Sequence, residues 1–150
     1  MEDGKTWIEN GVCLQTTDYT CGAAAAVTAL KQHGIDADEK DLALASYTSR
    51  THGAVEYKLA RAIESLYGHK GIVCEVNRFK RVSDLSDRCP VIVIVKYKPM
   101  IDHYITVLEV ESDTVLVGDP LSGRERLTHE AFSAKWRKAG IVVAKKNAGL

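Results

Sequence analysis

No apolar run in the sequence exceeds the five residues from Val91 to Val95, far short of the roughly 20 that a membrane-spanning helix needs. The first residues, Met1-Glu2-Asp3-Gly4-Lys5, lack the apolar core of a signal peptide, so export by that route is not expected. Net charge is lacking too. Twenty Lys and Arg cancel 20 Asp and Glu, and no basic stripe interleaved with aromatics marks a nucleic-acid surface. The 4 cysteines, Cys13, Cys21, Cys74 and Cys89, form no C-x-x-C pair and no close Cys/His cluster. That argues against zinc, and a domain of this size needs no disulfide framework. Reduced thiols in the cytoplasm, or in a cytosolic domain of a larger membrane protein, fit best.

What is present suits an ordinary globular fold. Apolar residues are 45% and charged residues 27% of the 150. A chain of this length is expected to form a single domain over 1–150, with its core at about 11–144, burying roughly 70% of the unfolded surface. No repeat, low-complexity tract or linker interrupts it.

The first half has helical patterning and the second half strand patterning. After an extended stretch at Val12 to Gln15, a first helix is expected from about Cys21 to His33, apolar almost all round and therefore buried, with Gly34 as its stop. A second short helix follows, capped by Asp38, with Leu42, Leu44 and Ala45 inward. A third, about Ala54 to Leu66, places Val55, Leu59, Ala62, Ile63 and Leu66 on one face. From Gly71 onward strands are expected at Ile72–Val76, Val91–Tyr97, Tyr104–Val110, Val115–Gly118 and Ile141–Ala144. The β-branched run Val91–Val95 should be central and covered on both faces. Thr128 is placed to cap a short helix reaching about Trp136. Helices first and an antiparallel sheet second make an α+β fold.

Chemistry is concentrated at Gln15-Thr16-Thr17-Asp18-Tyr19-Thr20-Cys21-Gly22. A cysteine in the first turn of a buried helix faces unpaired backbone N–H groups and the positive dipole end, which favour the nucleophilic thiolate. Gln15 lies just upstream, where its amide can donate to an oxyanion beside the sulfur.

A base must complete the pair. His33 and His69 sit at helix ends where terminal carbonyls are at hand, His129 follows the cap Thr128 as an exposed first-turn residue, and His52 lies in a loop. His103 instead opens a strand in which it alternates with Ile105, Val107 and Glu109. A tight turn near Ser112 returns the chain so that Asp119 comes back to within a few residues of His103. A carboxylate there can orient the imidazole. Each residue alone is more often structural: Asp119-Pro120 is a common turn, a strand histidine is usually packed, and a lone cysteine is usually a small hydrophobe. Their joint order shifts the balance.

The pieces Gln15-x5-Cys21-Gly22, His103-Tyr104, Val117-Gly118-Asp119-Pro120-x-x-Gly123 and Leu127-Thr128-x-x-Ala131-Phe132-x-x-x-Trp136 resemble the bacteriocin-processing double-glycine leader peptidases, which are papain-like cysteine proteases. The resemblance runs from about Gly11 to Ala144. Ala23 stands where proline is frequent in freestanding relatives, and Tyr104 where phenylalanine is usual. Carried over, the resemblance implies a papain-like fold with Cys21 as nucleophile, His103 as general base and acid, Asp119 as orienter and Gln15 as oxyanion donor. It implies a peptide or protein substrate, cut after a double-glycine leader, and for many relatives an ABC exporter as the larger context. No metal or organic cofactor is required.

Two other readings stand beside it. One is a catalytically silent peptide-binding module of the same fold. The other is a cysteine acyltransferase or amidase acting on a non-protein substrate. Specificity is expected in the cleft walls, at Thr48 to Ala54 and Lys96 to Asp102. Cys13, Cys74 and Cys89 are expected to serve packing.

Overall fold

Alanine-rich helix α1 (Cys21–Lys31) lies buried at the centre of the computed structural model, which describes residues 6–48 and 55–146. Ala23 to Ala26 and Ala29 are fully buried. Their small side chains let the helix axis lie close to neighbours on every side, which a leucine-rich helix would forbid. Around it pack α2 (Glu39–Ala45), α3 (Glu56–Tyr67) and a two-stranded ribbon of β1 (Trp7–Glu9) and β2 (Val12–Leu14). Asp38 caps α2 by accepting from the backbone N–H groups of Lys40 and Asp41, as expected.

The second half is a six-stranded antiparallel sheet in the order β3-β8-β4-β5-β6-β7. Its strands are β3 (Ile72–Arg78), β4 (Val91–Lys98), β5 (Ile101–Val110), β6 (Thr114–Asp119), β7 (Gly123–Thr128) and β8 (Trp136–Lys145). Helix α4 (His129–Lys135) joins the last two, with the Thr128 hydroxyl accepting from Ala131 N–H. The α+β expectation holds. β4 lies between β8 and β5 and is buried from Val91 to Val95. Ile92, Ile94, Tyr104, Ile141 and Val143 face the cluster built on α1. Val91, Val93, Val95, Ile105, Val107 and Val117 join Phe132 and Trp136 on the other face. Phe132 is fully buried, with its ring 5.3 Å from that of Trp136. Burying such a side chain contributes about 1.5–3 kcal/mol.

Several expectations need correction. Leu44 is 68% exposed and Val55 40% exposed. Leu42 and Leu59 point inward and their neighbours cannot all share that narrow face. Strands β1 and β7 were not foreseen, and β8 begins at Trp136 rather than Ile141. His52 and the cleft-wall segment at 49–54 lie outside the described residues. Among those described, no helix is long and apolar enough to cross a membrane.

Two hydrogen bonds tie the halves to α1. Thr106 on β5 donates its hydroxyl to the Ala25 carbonyl at 2.7 Å, and Cys13 N–H on β2 donates to Thr28 Oγ1 at 2.8 Å. The first sets the strand that carries His103 against the helix that carries Cys21. The second sets the strand that leads into Gln15.

Candidate active site

Cys21 is the first residue of α1, and its first turn has neither a side-chain cap nor an acidic residue. Thr20, at the cap position, turns its hydroxyl to Thr17 Oγ1 at 2.9 Å instead. The Thr20 side chain therefore leaves the backbone N–H groups of this helix start uncapped, an end that favours negative charge. Cys21 is partly exposed, whereas Cys13 is fully buried.

His103 lies at the start of β5, 5% exposed, and Asp119 at the end of β6, 9% exposed. The tight turn has Glu111 N–H donating to the Thr114 carbonyl at 2.8 Å. Pairing of Thr106 with Gly118 then brings the two strand ends together. His103 Nε2 and Asp119 Oδ1 are 2.7 Å apart. An ionised carboxylate only accepts, so Nε2 carries the proton and Nδ1 is the ring nitrogen left for the Cys21 sulfur, which lies near enough to help raise the ring's pKa. The same Asp119 Oδ1 accepts Leu121 N–H at 2.8 Å, which holds the carboxylate in its own turn.

The electrostatics follow from that chain. Burial opposes charge on His103. The hydrogen bonds and negative charges of Asp119 and Cys21 outweigh it and raise the ring's pKa from 6.5 to about 9. Burial likewise opposes charge on Asp119, but hydrogen bonds from His103 and Leu121 hold its carboxyl below the usual range. The imidazolium is thus the favoured form at neutral pH. By contrast, burial pushes Cys13 and Cys74 up to about 12 and Cys89 up to about 11, which leaves those thiols inert.

Gln15 follows directly on β2. Its backbone N–H donates to the Pro120 carbonyl at 2.9 Å, one residue from Asp119. Its amide Nε2 donates to the Thr17 carbonyl at 2.6 Å, which leaves the second N–H of that nitrogen uncommitted to this bond. Its Oε1 is buried with no partner. A flipped amide would set two acceptors face to face at Thr17, so the carbonyl there decides the orientation.

Of the four residues singled out in the sequence, His103 and Asp119 are directly paired, Cys21 lies near the His103 ring, and Gln15 is tied to Pro120 next to Asp119. Around them, Tyr97 and Asp102 fall within the expected cleft wall from Lys96 to Asp102, whereas Arg137 and Glu39 were not foreseen. Tyr97 sets its ring 5.5 Å from His103. Asp102 pairs with Arg137 at 3.1 Å. A pocket of about 330 Å³ beside the Gln15–Cys21 loop is lined by Thr16, Thr17, Tyr19, Thr20, Glu39 and Leu44, among others. Only the register of the β4–β5 hairpin, which pairs Val95 with His103, brings Tyr97 near the histidine. The other histidines also find definite places. His33 Nε2 bonds the Val143 carbonyl of β8 at 2.8 Å rather than a helix-end carbonyl. His129 is half-buried, and its Nε2 meets the Glu111 carbonyl at 2.8 Å, steadying the β5–β6 turn.

Residues 9–148 match the Peptidase C39 family. The chain is 31% identical over 137 residues to the probable functional amyloid protease FapD of Pseudomonas fluorescens, covering 87% of this chain and 58% of that protein. It therefore spans little more than half the length of that relative. It is also 31% identical to an uncharacterized protein of Methanothermobacter marburgensis, with 96% of both chains covered. Among solved structures, it superposes with TM-score 0.77 and 22% identity on the peptidase domain of Streptococcus ComA, a bifunctional ABC transporter of a quorum-sensing pathway. That match covers 89% of this chain and 96% of that one. A double glycine motif protease from an AMS/PCAT transporter, solved with its leader peptide, superposes with TM-score 0.76 at 15% identity, covering 95% and 94%. At these identities the superpositions speak for the fold.

Proposed function

The chain belongs to the peptidase C39 family, and from that membership we propose that it is a cysteine endopeptidase that cuts a peptide after a double-glycine leader. The observation that carries the reading is the continuous link from the uncapped start of α1 through Cys21 and His103 to Asp119. Cys21 supplies the nucleophilic sulfur. His103, protonated by virtue of its two partners, is the acid that returns a proton to the leaving amine. Asp119 fixes the ring's orientation and tautomer. Gln15 and the Cys21 backbone N–H stabilise the oxyanion as the sulfur adds to the carbonyl. Water then hydrolyses the thioester, with His103 as base, and the free thiol returns.

The double-glycine preference draws on the similarity to transporter peptidases that act on leaders of that kind. A full-length context beside an ABC exporter, and with it a cytosolic setting, belongs to the same proposal. A silent binding module is disfavoured because Gln15, Cys21, His103 and Asp119 are all present.

The test uses iodoacetamide across pH 5 to 9 on wild type and His103→Ala, with the modified cysteines mapped by mass spectrometry, together with cleavage of a leader-like Gly-Gly peptide. Selective alkylation of Cys21 that is lost in the variant, and cleavage abolished by Cys21→Ala, are the expected results. Alkylation indifferent to His103, or a Cys21→Ala protein that still cleaves, would refute the assignment.

A further inference from the structure

Glu39 is a carboxylate only 3% exposed at the first position of α2, a residue type seldom buried unless its oxygens are paired. Both of its oxygens go to one residue. Oε2 accepts Thr16 N–H at 3.0 Å and Oε1 accepts the Thr16 hydroxyl at 2.9 Å. Thr16 lies between Gln15, whose N–H is held by Pro120, and Thr17, whose carbonyl holds the Gln15 amide. Fixing Thr16 therefore restrains the short backbone stretch between the residue that carries the amide and the residue whose carbonyl holds it.

We propose that Glu39 is a positioning residue for the oxyanion donor: by holding Thr16 it keeps the Gln15 amide aimed at the charge that develops on the substrate carbonyl. The proposal rests on the peptidase reading above. A negative charge near a developing oxyanion is unfavourable in itself. What Glu39 contributes is therefore its two acceptor positions and not its charge. A misplacement of about 1 Å in such a donor can cost a hundredfold in rate. A glutamine can nearly reproduce the link, its carbonyl accepting Thr16 N–H and its amide donating to the Thr16 hydroxyl. Alanine leaves that N–H without a protein partner.

The variants Glu39→Ala, Glu39→Gln and Thr16→Val are compared with wild type on a fluorogenic peptide carrying Gly-Gly before the cut. Cys21 alkylation by iodoacetamide is measured in parallel, normalised to folded protein. Alkylation forms no oxyanion, so it reports the Cys–His pair alone. Glu39→Ala is expected to lose roughly ten- to a hundredfold in kcat with KM and alkylation unchanged. Glu39→Gln should stay near wild type, and Thr16→Val should lose several-fold in kcat. An unchanged kcat in Glu39→Ala, a joint fall of kcat and alkylation, or a glutamine variant as poor as alanine would overturn the proposal. Should Glu39→Ala fail to fold, Thr16→Val decides: unchanged kcat there overturns it.

A wild type that alkylates selectively but cleaves no peptide would sink the peptidase reading instead. The same variants are then compared on p-nitrophenyl acetate. The Cys21 sulfur displaces p-nitrophenolate through the same oxyanion, and water releases acetate from the thioester. The same kcat criteria decide the role of Glu39.

Discussion

At the scale of single residues, the proposed chemistry is divided so that each side chain has its own observable. Gln15 acts only as charge develops, so Gln15→Ala should lower kcat by a hundredfold or more, about 3 kcal/mol, with KM little changed. Single-turnover cleavage of the Gly-Gly peptide measures it. Asp119 acts through His103, whose pKa of about 9 it helps to hold up. In Asp119→Asn the charge is gone and the ring should lose its proton earlier. The descending limb of kcat/KM against pH, near 9 in wild type, should move down by roughly 1–3 units. An unmoved limb would detach the two residues. Cys13 lies two positions before Gln15, yet it is buried with its pKa pushed up to about 12, so Cys13→Ser should leave turnover nearly intact.

At the scale of elements, Gly140 of β8 pairs with Val93 of β4 and leaves no room for a side chain. A Cβ there would lie 2.8 Å from the Ile92 carbonyl oxygen and 2.9 Å from Val91 Cγ1. Backbone cannot yield as a side chain does, so Gly140→Ala should cost roughly 1–3 kcal/mol, seen as a lower urea midpoint at unchanged m-value. Three helices were legible in the sequence from a local mark, Gly34 after α1, Asp38 before α2 and Thr128 before α4, and α3 from the spacing of its apolar residues. β4 was legible from its β-branched run. β7 was not, because Arg124-Glu125-Arg126 is the charged patterning of an edge strand and has no apolar alternation to reveal it. The start of β8 was hidden by Lys138, whose φ of 63° belongs to no regular strand. For the site, the order of Gln15, Cys21, His103 and Asp119 along the chain was readable, since helix start and hairpin end are local features. Glu39 was not. An acidic residue in a helix's first turn looks like a dipole partner, and only tertiary packing turns it toward Thr16.

At the scale of the whole molecule, the His103–Asp119 pair ties folding to pH. The folded His103 holds its proton up to about pH 9, while the unfolded ring loses it near 6.5. Between those values the native state binds more protons, so stability falls as pH rises. The contribution is fully present below about 6.5 and gone above about 9. Asp119, with its pKa lowered, works at the other end, its contribution lost as pH falls through the folded carboxyl's titration. Urea midpoints should therefore decline from pH 6.5 to 9.5 in wild type and decline less in Asp119→Asn; equal slopes would contradict the linkage. The bond from Gln15 N–H to the Pro120 carbonyl has a wider consequence. Pro120 is the peptide neighbour of Asp119, so one short piece of backbone serves the proton-handling side and the oxyanion side alike. Heat or denaturant that frees this turn removes both functions in one step. Inactivation should then pass through no half-competent species that still alkylates quickly but no longer turns over.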